Sequence, residues 1–448
     1  MKTTFRILLA TALFSTASLA GQAQAPAVGA APVAPTDTTR IVLNPALVNA
    51  VNLQNFAAFR TAVQPLIRQM AGKKVVALGE GTHGTAEFYR LRFWLTRILV
   101  EEHGFTQVAL ENDYTDTYLL AEGLRQPAAN VPQLMKDHLY GIWQNQETKE
   151  LLTWLQAHNQ THRRQPLGLR GIDGAYVLPE AQQLAALAAR YPKAGLQALA
   201  AQLLQAAGTQ DSVMNNINTQ FKKYKFSRKR WLSSGLAGYY AADKMLAALP
   251  TARLPRAEQA RAEGMALDAK LGLDLFYQFT VNKREGSRDS TMATMTRFLV
   301  REPGAKVIVW AHDAHVSRKS TDPTDNNGGG TGSFLERLLP GQYFALGTAT
   351  ATGTYAATTD GRITRTSVFT PYPLDKPLPG SWEASLAASS APSYFLFTSQ
   401  LGGQNLKRPH RLIGYQPNSG KDSYYNYKLT DAYDAVLFVR QSSAATPL

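Results

Sequence analysis

The chain predicts an α/β fold: a mostly parallel central sheet flanked by helices, with a helical insertion over the face where an active site would form. Three observations lead there. Short apolar runs rich in β-formers recur along the chain, and several end on an acid or a histidine. They alternate with segments of helical periodicity, the pattern of parallel strands joined by crossovers. Between about 178 and 301 the character changes to long Ala/Leu/Gln-rich segments with few β-branched residues, which reads as all helix.

The N-terminus comes first. "MKTTFRILLATALFSTASLAGQAQA" combines Lys2 and Arg6 with an apolar run too short for a membrane span, then small residues suited to cleavage after Ala20 or Ala23. Residues 1–20 are therefore expected to be a signal peptide, and 21–40 an Ala/Pro-rich flexible segment that cannot build a core. The folded domain is expected over 41–448. No later run is long and apolar enough to span a membrane, which implies a secreted or periplasmic protein with no transmembrane segment after signal cleavage. Cysteine is absent, and that excludes disulfides, thiolate metal sites and a Cys nucleophile. A chain that is 44% hydrophobic and 10% aromatic can bury a large core over its roughly 400 mature residues.

The strands follow in order. "KKVVALGE" reads as a strand ending at Glu80, and Phe88, Leu91, Leu95 and Ile98 then recur at helical spacing until Gly104 stops the helix. "FTQVALEN" is a second strand, ending at Glu111; "LGLRGID" is a third, ending at Asp173. "AKVIVWAHDAH" is a fourth, giving way to His312, Asp313 and His315. The insertion occupies about 178–301, and "GQYFALGTA", "SYFLFTS" and "YDAVLFVRQ" complete the sheet. Net charge is +14, with part of the excess in "FKKYKFSRKRW". One basic run without a recognised module reads as a solvated junction between helices whose aromatics face inward, so no nucleic-acid partner is expected.

Residues just past the carboxyl ends of parallel strands open onto one face. Glu80, His83, Glu111, Asp173, His312 and His315 are therefore expected to converge. In "GEGTHG" the glycines permit positive φ, so one turn can present both Glu80 and His83. An imidazole can take a proton from water while a carboxylate fixes its tautomer and stabilises the cation formed. The bland alternative is a polar turn satisfying its own backbone. In "WAHDAH", His312 and His315 lie three apart, and either could donate to an oxyanion or protonate a leaving group. His83, His312, His315, Glu80 and Glu111 could instead ligate zinc or manganese, but the spacing is not that of an H-E-x-x-H helix, and no metal or other cofactor is assigned. Glu111 and Asp173 are ordinary helix caps unless convergence gives them more. Arg92 can reach back from its helix to a site carboxylate or an ester oxygen. The loop "DPTDNNGGGTGSFLERL" lacks the lysine of a phosphate cradle, and no G-x-S-x-G elbow occurs. Activated water is left as the nucleophile.

Taken together, "LGEGTHGTAEFYRLRFWLTRILVEEHGFTQVALE", "GIDG", "REGSRDSTMATM", "VIVWAHDAHV", "GSFLERL" and the ending "YDAVLFVRQSSAATPL" resemble the erythromycin esterase family in the same order. The resemblance implies hydrolysis of an ester, in the best-known members a macrolide lactone, on an α/β scaffold with a helical lobe. It implies that His83 is the general base, that Glu80 and Glu111 shape and charge the site, and that His312 assists from the second side. Arg92 falls on the family's basic helix position and His315 on the second His of the later motif; with Asp173 they are expected to bind substrate. Asp313 stands where the family more often has Asn, and Gly81 where a slightly larger small residue is common. The expected partner is a small ester or lactone. Competing readings are an exported haem- or metal-binding protein of a related fold and an enzyme acting on acylated polysaccharide.

Overall fold

The computed structural model describes residues 41–174, 176–220, 225–284, 286–319 and 329–448. The expected signal peptide and Ala/Pro-rich segment, part of the basic aromatic run (221–224) and most of the Gly-rich loop (320–328) lie outside the described residues. The chain divides into two compact units. The sheet unit takes the described residues up to Glu111, then Leu120–Leu169 and Leu299–Leu448; the helical unit takes Asn112–Leu119 and Arg170–Phe298.

The sheet is built from β1 (Asn49–Ala50), β2 (Val75–Leu78), β3 (Gln107–Leu110), β4 (Gly168–Gly171), β5 (Val307–Trp310), β6 (Tyr343–Ala357), β7 (Thr370–Pro373), β8 (Ser393–Phe397) and β11 (Ala435–Ser442). Its order is β1-β8-β11-β6-β2-β5-β3-β4, with β7 on β6. The core strands β11, β6, β2, β5 and β3 run parallel, while β8, β1 and β7 run against their neighbours. This is the mixed, mostly parallel α/β sheet expected from the sequence. Every residue of β2 and β5 is buried, as a parallel strand covered on both faces requires, and that is why both read as unbroken apolar runs. The remaining strands, β9 (Arg408–Arg411) and β10 (Tyr424–Tyr427), form a separate antiparallel pair.

Helix α1 (Ala86–His103) follows β2 and buries Phe88, Leu91, Leu95 and Ile98, the stripe seen in the sequence. It ends at Gly104, whose φ of 69° is a left-handed cap that costs glycine little. Helix α2 (Tyr114–Gly123) follows β3. In the helical unit, α3 (Leu178–Arg190), α4 (Gln197–Gln220), α5 (Arg228–Ala248), α6 (Arg256–Tyr277) and α7 (Arg288–Leu299) cover the predicted insertion. Small residues let these helices approach closely: a Cβ at Gly235 would lie 2.2 Å from the Phe276 ring, and one at Gly238 would lie 2.5 Å from the Ala206 methyl. Trp231 of the basic run is buried edge-on against Phe276, whereas Lys225, Lys229 and Arg230 are exposed. Among the described residues no helix is long and apolar enough to cross a membrane.

Candidate active site

Sheet register brings the first residues together. Leu78 of β2 and Leu110 of β3 both pair with Trp310 of β5, the strand between them, so three adjacent strands end level. Neighbouring strands lie about 4.8 Å apart. Residues one or two positions past those ends, Glu111, Glu80 and His312, are thus within side-chain reach of one another.

The turn after β2 is shaped by what surrounds it. A Cβ at Gly79 would lie 1.8 Å from Asp313 Oδ1, and one at Gly81 would lie 2.7 Å from the Thr348 carbonyl oxygen. Gly81 is therefore tightly enclosed. Gly84 takes a φ of 76°, and a Cβ there would meet the Ala356 carbonyl. The His83 N–H donates to the Ile413 carbonyl at 3.1 Å, and the Ile413 N–H donates to Gly81 at 2.8 Å. A distant segment of chain thereby clips the turn in place.

Inside that turn, a row of charges forms. His83 Nδ1 lies 2.8 Å from Glu80 Oε1, and Arg92 Nη2 donates to Glu80 Oε2 at 2.7 Å. Glu80 and Arg92 are fully buried and His83 is 1% exposed. Because a carboxylate only accepts, in the neutral imidazole Nδ1 carries the proton and Nε2 keeps its lone pair. Among the described residues Nε2 has no hydrogen-bond partner. The Arg92 guanidinium is boxed by aromatic faces, 4.7 Å from the Tyr89 ring, 5.5 Å from Trp143 and 4.7 Å from Trp310. Those contacts replace some of the hydration the buried cation has lost.

The second cluster grows from β3 and β5. Glu111 Oε2 accepts the His312 backbone N–H at 2.8 Å, and Oε1 faces His315 Nε2 at 3.3 Å. His312 caps the following turn through Nδ1, which accepts the Ala314 N–H at 3.2 Å, while its Nε2–H donates to the Ile413 carbonyl at 3.0 Å. Both ring nitrogens of His312 are thus committed to backbone, although the sequence suggested a donor to substrate. Burial, and then the nearness of His83, pull the His312 pKa well below the usual imidazole value. The two rings sit 4.7 Å apart. Asp313 joins the clusters by donating its N–H to the Glu80 carbonyl at 2.9 Å, and burial pushes its carboxyl well above the ordinary range.

Glu80, His83, Arg92, Glu111, His312 and His315 therefore form one constellation in the sheet unit. Asp173 belongs to the helical unit, where both its carboxylate oxygens pair with Arg288 at 2.7 and 3.0 Å. Sequence reading missed Tyr89, Trp143, Trp310 and Ile413. Tyr89 lies one turn before Arg92 on the same helix and Trp310 stands directly before "AHDAH", so both were within reach of a spacing argument. Ile413 was not, because it acts through its backbone. Among the described residues, the acids spaced to hold a metal ion are Asp113, Glu180 and Asp268 of the helical unit.

The model of the erythromycin esterase family matches residues 100–442. Glu111, His312 and His315 fall inside that stretch; Glu80, His83 and Arg92 precede it. YbfO of Bacillus subtilis (strain 168) is 24% identical over 401 residues, covering 84% of this chain and 85% of that protein. Erythromycin esterase type I of Escherichia coli is 26% identical over 297 residues, covering 63% of this chain and 68% of its own. Two solved structures share the fold at 18% identity. One, a succinoglycan biosynthesis protein, aligns with a TM-score of 0.71 over 90% of this chain and 96% of its own. The other, a mutant erythromycin esterase in its open conformation, aligns with a TM-score of 0.64 over 89% of this chain and 98% of its own. With the family model spanning well over half of its length, the chain belongs to the erythromycin esterase family, hydrolases of the esterase type.

Proposed function

We propose that this protein hydrolyses a carboxylic ester or macrolide-type lactone with water activated by His83. The observation that carries the reading is the row Arg92, Glu80, His83, which fixes the imidazole tautomer and leaves Nε2 as a base with no partner among the described residues. Water bound at Nε2 gives up a proton as its oxygen attacks the ester carbonyl. The resulting imidazolium faces the Glu80 carboxylate, and as the tetrahedral intermediate collapses it returns the proton to the departing alkoxide.

Arg92 acts through Glu80 rather than on substrate, because its guanidinium is enclosed by three aromatic rings. His312 serves as a positioning residue. Held neutral by burial, it puts no second positive charge beside His83 when the latter is protonated. Glu111 orients the His312 backbone through one oxygen and faces His315 Nε2 with the other, so it holds the second cluster beside His83.

The test is hydrolysis of a panel of macrolides, simple esters and acylated glycans by the purified protein and by His83→Ala. At least one ester should be turned over, and the variant should lose roughly a hundredfold or more of that rate. Equal rates would overturn the assignment. We also propose export, on the strength of the charged, apolar and small-residue regions of the N-terminus. A mature protein beginning just after Ala20 or Ala23 is expected from N-terminal sequencing of the secreted or periplasmic fraction.

A further inference from the structure

Three carboxylates in the helical unit are buried with little to balance them. Asp113 follows β3, and its Oδ1 accepts the Asp116 N–H at 2.9 Å. Glu180 lies in the first turn of α3, and its Oε1 accepts the Thr115 N–H at 3.2 Å. Asp268 projects from α6. Asp113 is 1% exposed and the other two are fully buried. One oxygen from each lies within 4.8 Å of the others.

The remaining oxygens supply a second observation. Asp113 Oδ2, Glu180 Oε2 and both oxygens of Asp268 are buried and have no hydrogen-bond partner. None of the three acids forms an ion pair among the described residues. Buried polar atoms in native proteins are nearly always satisfied, and buried charges are paired or bind metal. As carboxylates, these four acceptors lack a positive partner. Burial pushes all three carboxyls upward, and their mutual repulsion adds to it.

We propose that Asp113, Glu180 and Asp268 form a structural site for a hard divalent cation, best suited to Ca²⁺. Oxygen-only donors select Ca²⁺, Mg²⁺ or Mn²⁺ over softer metals. Around Ca²⁺, held at about 2.3–2.6 Å, opposite ligands are about 5 Å apart, so oxygens within 4.8 Å of one another fit a single coordination sphere. The backbone N–H groups on Asp113 and Glu180 orient those side chains and leave one oxygen of each for the ion, as outer partners do in metal sites. Asp268 has both oxygens to offer. The ion ties the start of α2 to α3 and α6 within the helical unit. Protons shared among the three acids are the rival way to remove the charge.

The full chain, stripped with a chelator and dialysed, is titrated with Ca²⁺, Mg²⁺ and Mn²⁺ while bound metal and the thermal midpoint are measured. About one Ca²⁺ per chain should bind, the midpoint should rise with its concentration, and Asp268→Asn should weaken binding at least tenfold. No uptake of any of the three ions at millimolar concentration, with a midpoint indifferent to them, would overturn the site in favour of shared protons. Equal binding by wild type and Asp268→Asn would overturn it as well. Should that variant fail to fold, Glu180→Gln and the wild-type stoichiometry decide the matter.

Discussion

The sheet unit and the helical unit both bury acids, and they treat them in opposite ways. Glu80 is saturated: Arg92 takes one oxygen and His83 the other. Asp268 has no partner at either oxygen, and Asp113 and Glu180 each leave one unmet. The contrast teaches how a buried carboxylate is used. Paired with a cation inside the protein, it becomes a fixed charge that can hold an imidazole in one state; unpaired, it is an invitation to something brought from solution.

The largest effect that would test this contrast is His83→Ala, which leaves Glu80 and Arg92 paired but removes the base. Rates on the best ester should fall by roughly 10²–10⁴ with the fold intact, by circular dichroism and turnover assays. Next is Arg92→Met, which strips the cation from Glu80. Breaking a buried pair from one side costs about 3–5 kcal/mol, so denaturant unfolding should show a large loss of stability together with lost activity. Asp268→Asn is the mirror experiment. In chelator it removes an unpaired buried charge, so the midpoint should stay level or rise, and only in Ca²⁺ should the variant fall behind wild type. A Gly81→Ala variant should lose about 1–3 kcal/mol, because its methyl must displace the Thr348 carbonyl 2.7 Å away.

The smallest effect expected is a dependence on pH. His312 has a depressed pKa in the folded state, so the unfolded chain binds its proton first. Its contribution to stability is therefore present above about pH 6.5 and is lost as pH falls through the lower folded value. Glu383 acts in the same direction further down. Burial opposes its ionisation, but His410, 2.7 Å away, and Arg411 hold its carboxyl below the usual range. Its share is lost as pH drops below about 4.3. Unfolding midpoints measured between neutral and acid pH should decline in these two steps, and a flat profile would contradict the assigned state of His312.

Much of the candidate constellation was legible because each of its parts is a local pattern. The acids and imidazoles of both clusters follow apolar runs, and the rule that strand ends share a face predicts their meeting without coordinates. Asp173 obeyed the same rule on paper, yet its carboxylate is taken by Arg288 from α7, a pairing across more than a hundred positions that no spacing announces. The acid trio was not legible at all. Asp113 reads as a helix cap, Glu180 as a first-turn acid and Asp268 as one polar position in a long helix.

The sequence by itself determined the strands, the helices and the chemistry offered at each strand end, since hydrophobic period and glycine placement are local properties of the chain. Only the tertiary structure decided which charges meet. It gave Glu80 a cation, bound both nitrogens of His312 to backbone groups, and left three acids from separate elements without a counter-charge. Those outcomes depend on distances between residues far apart in the chain, and electrostatic energy is set by distance and burial rather than by order along the backbone.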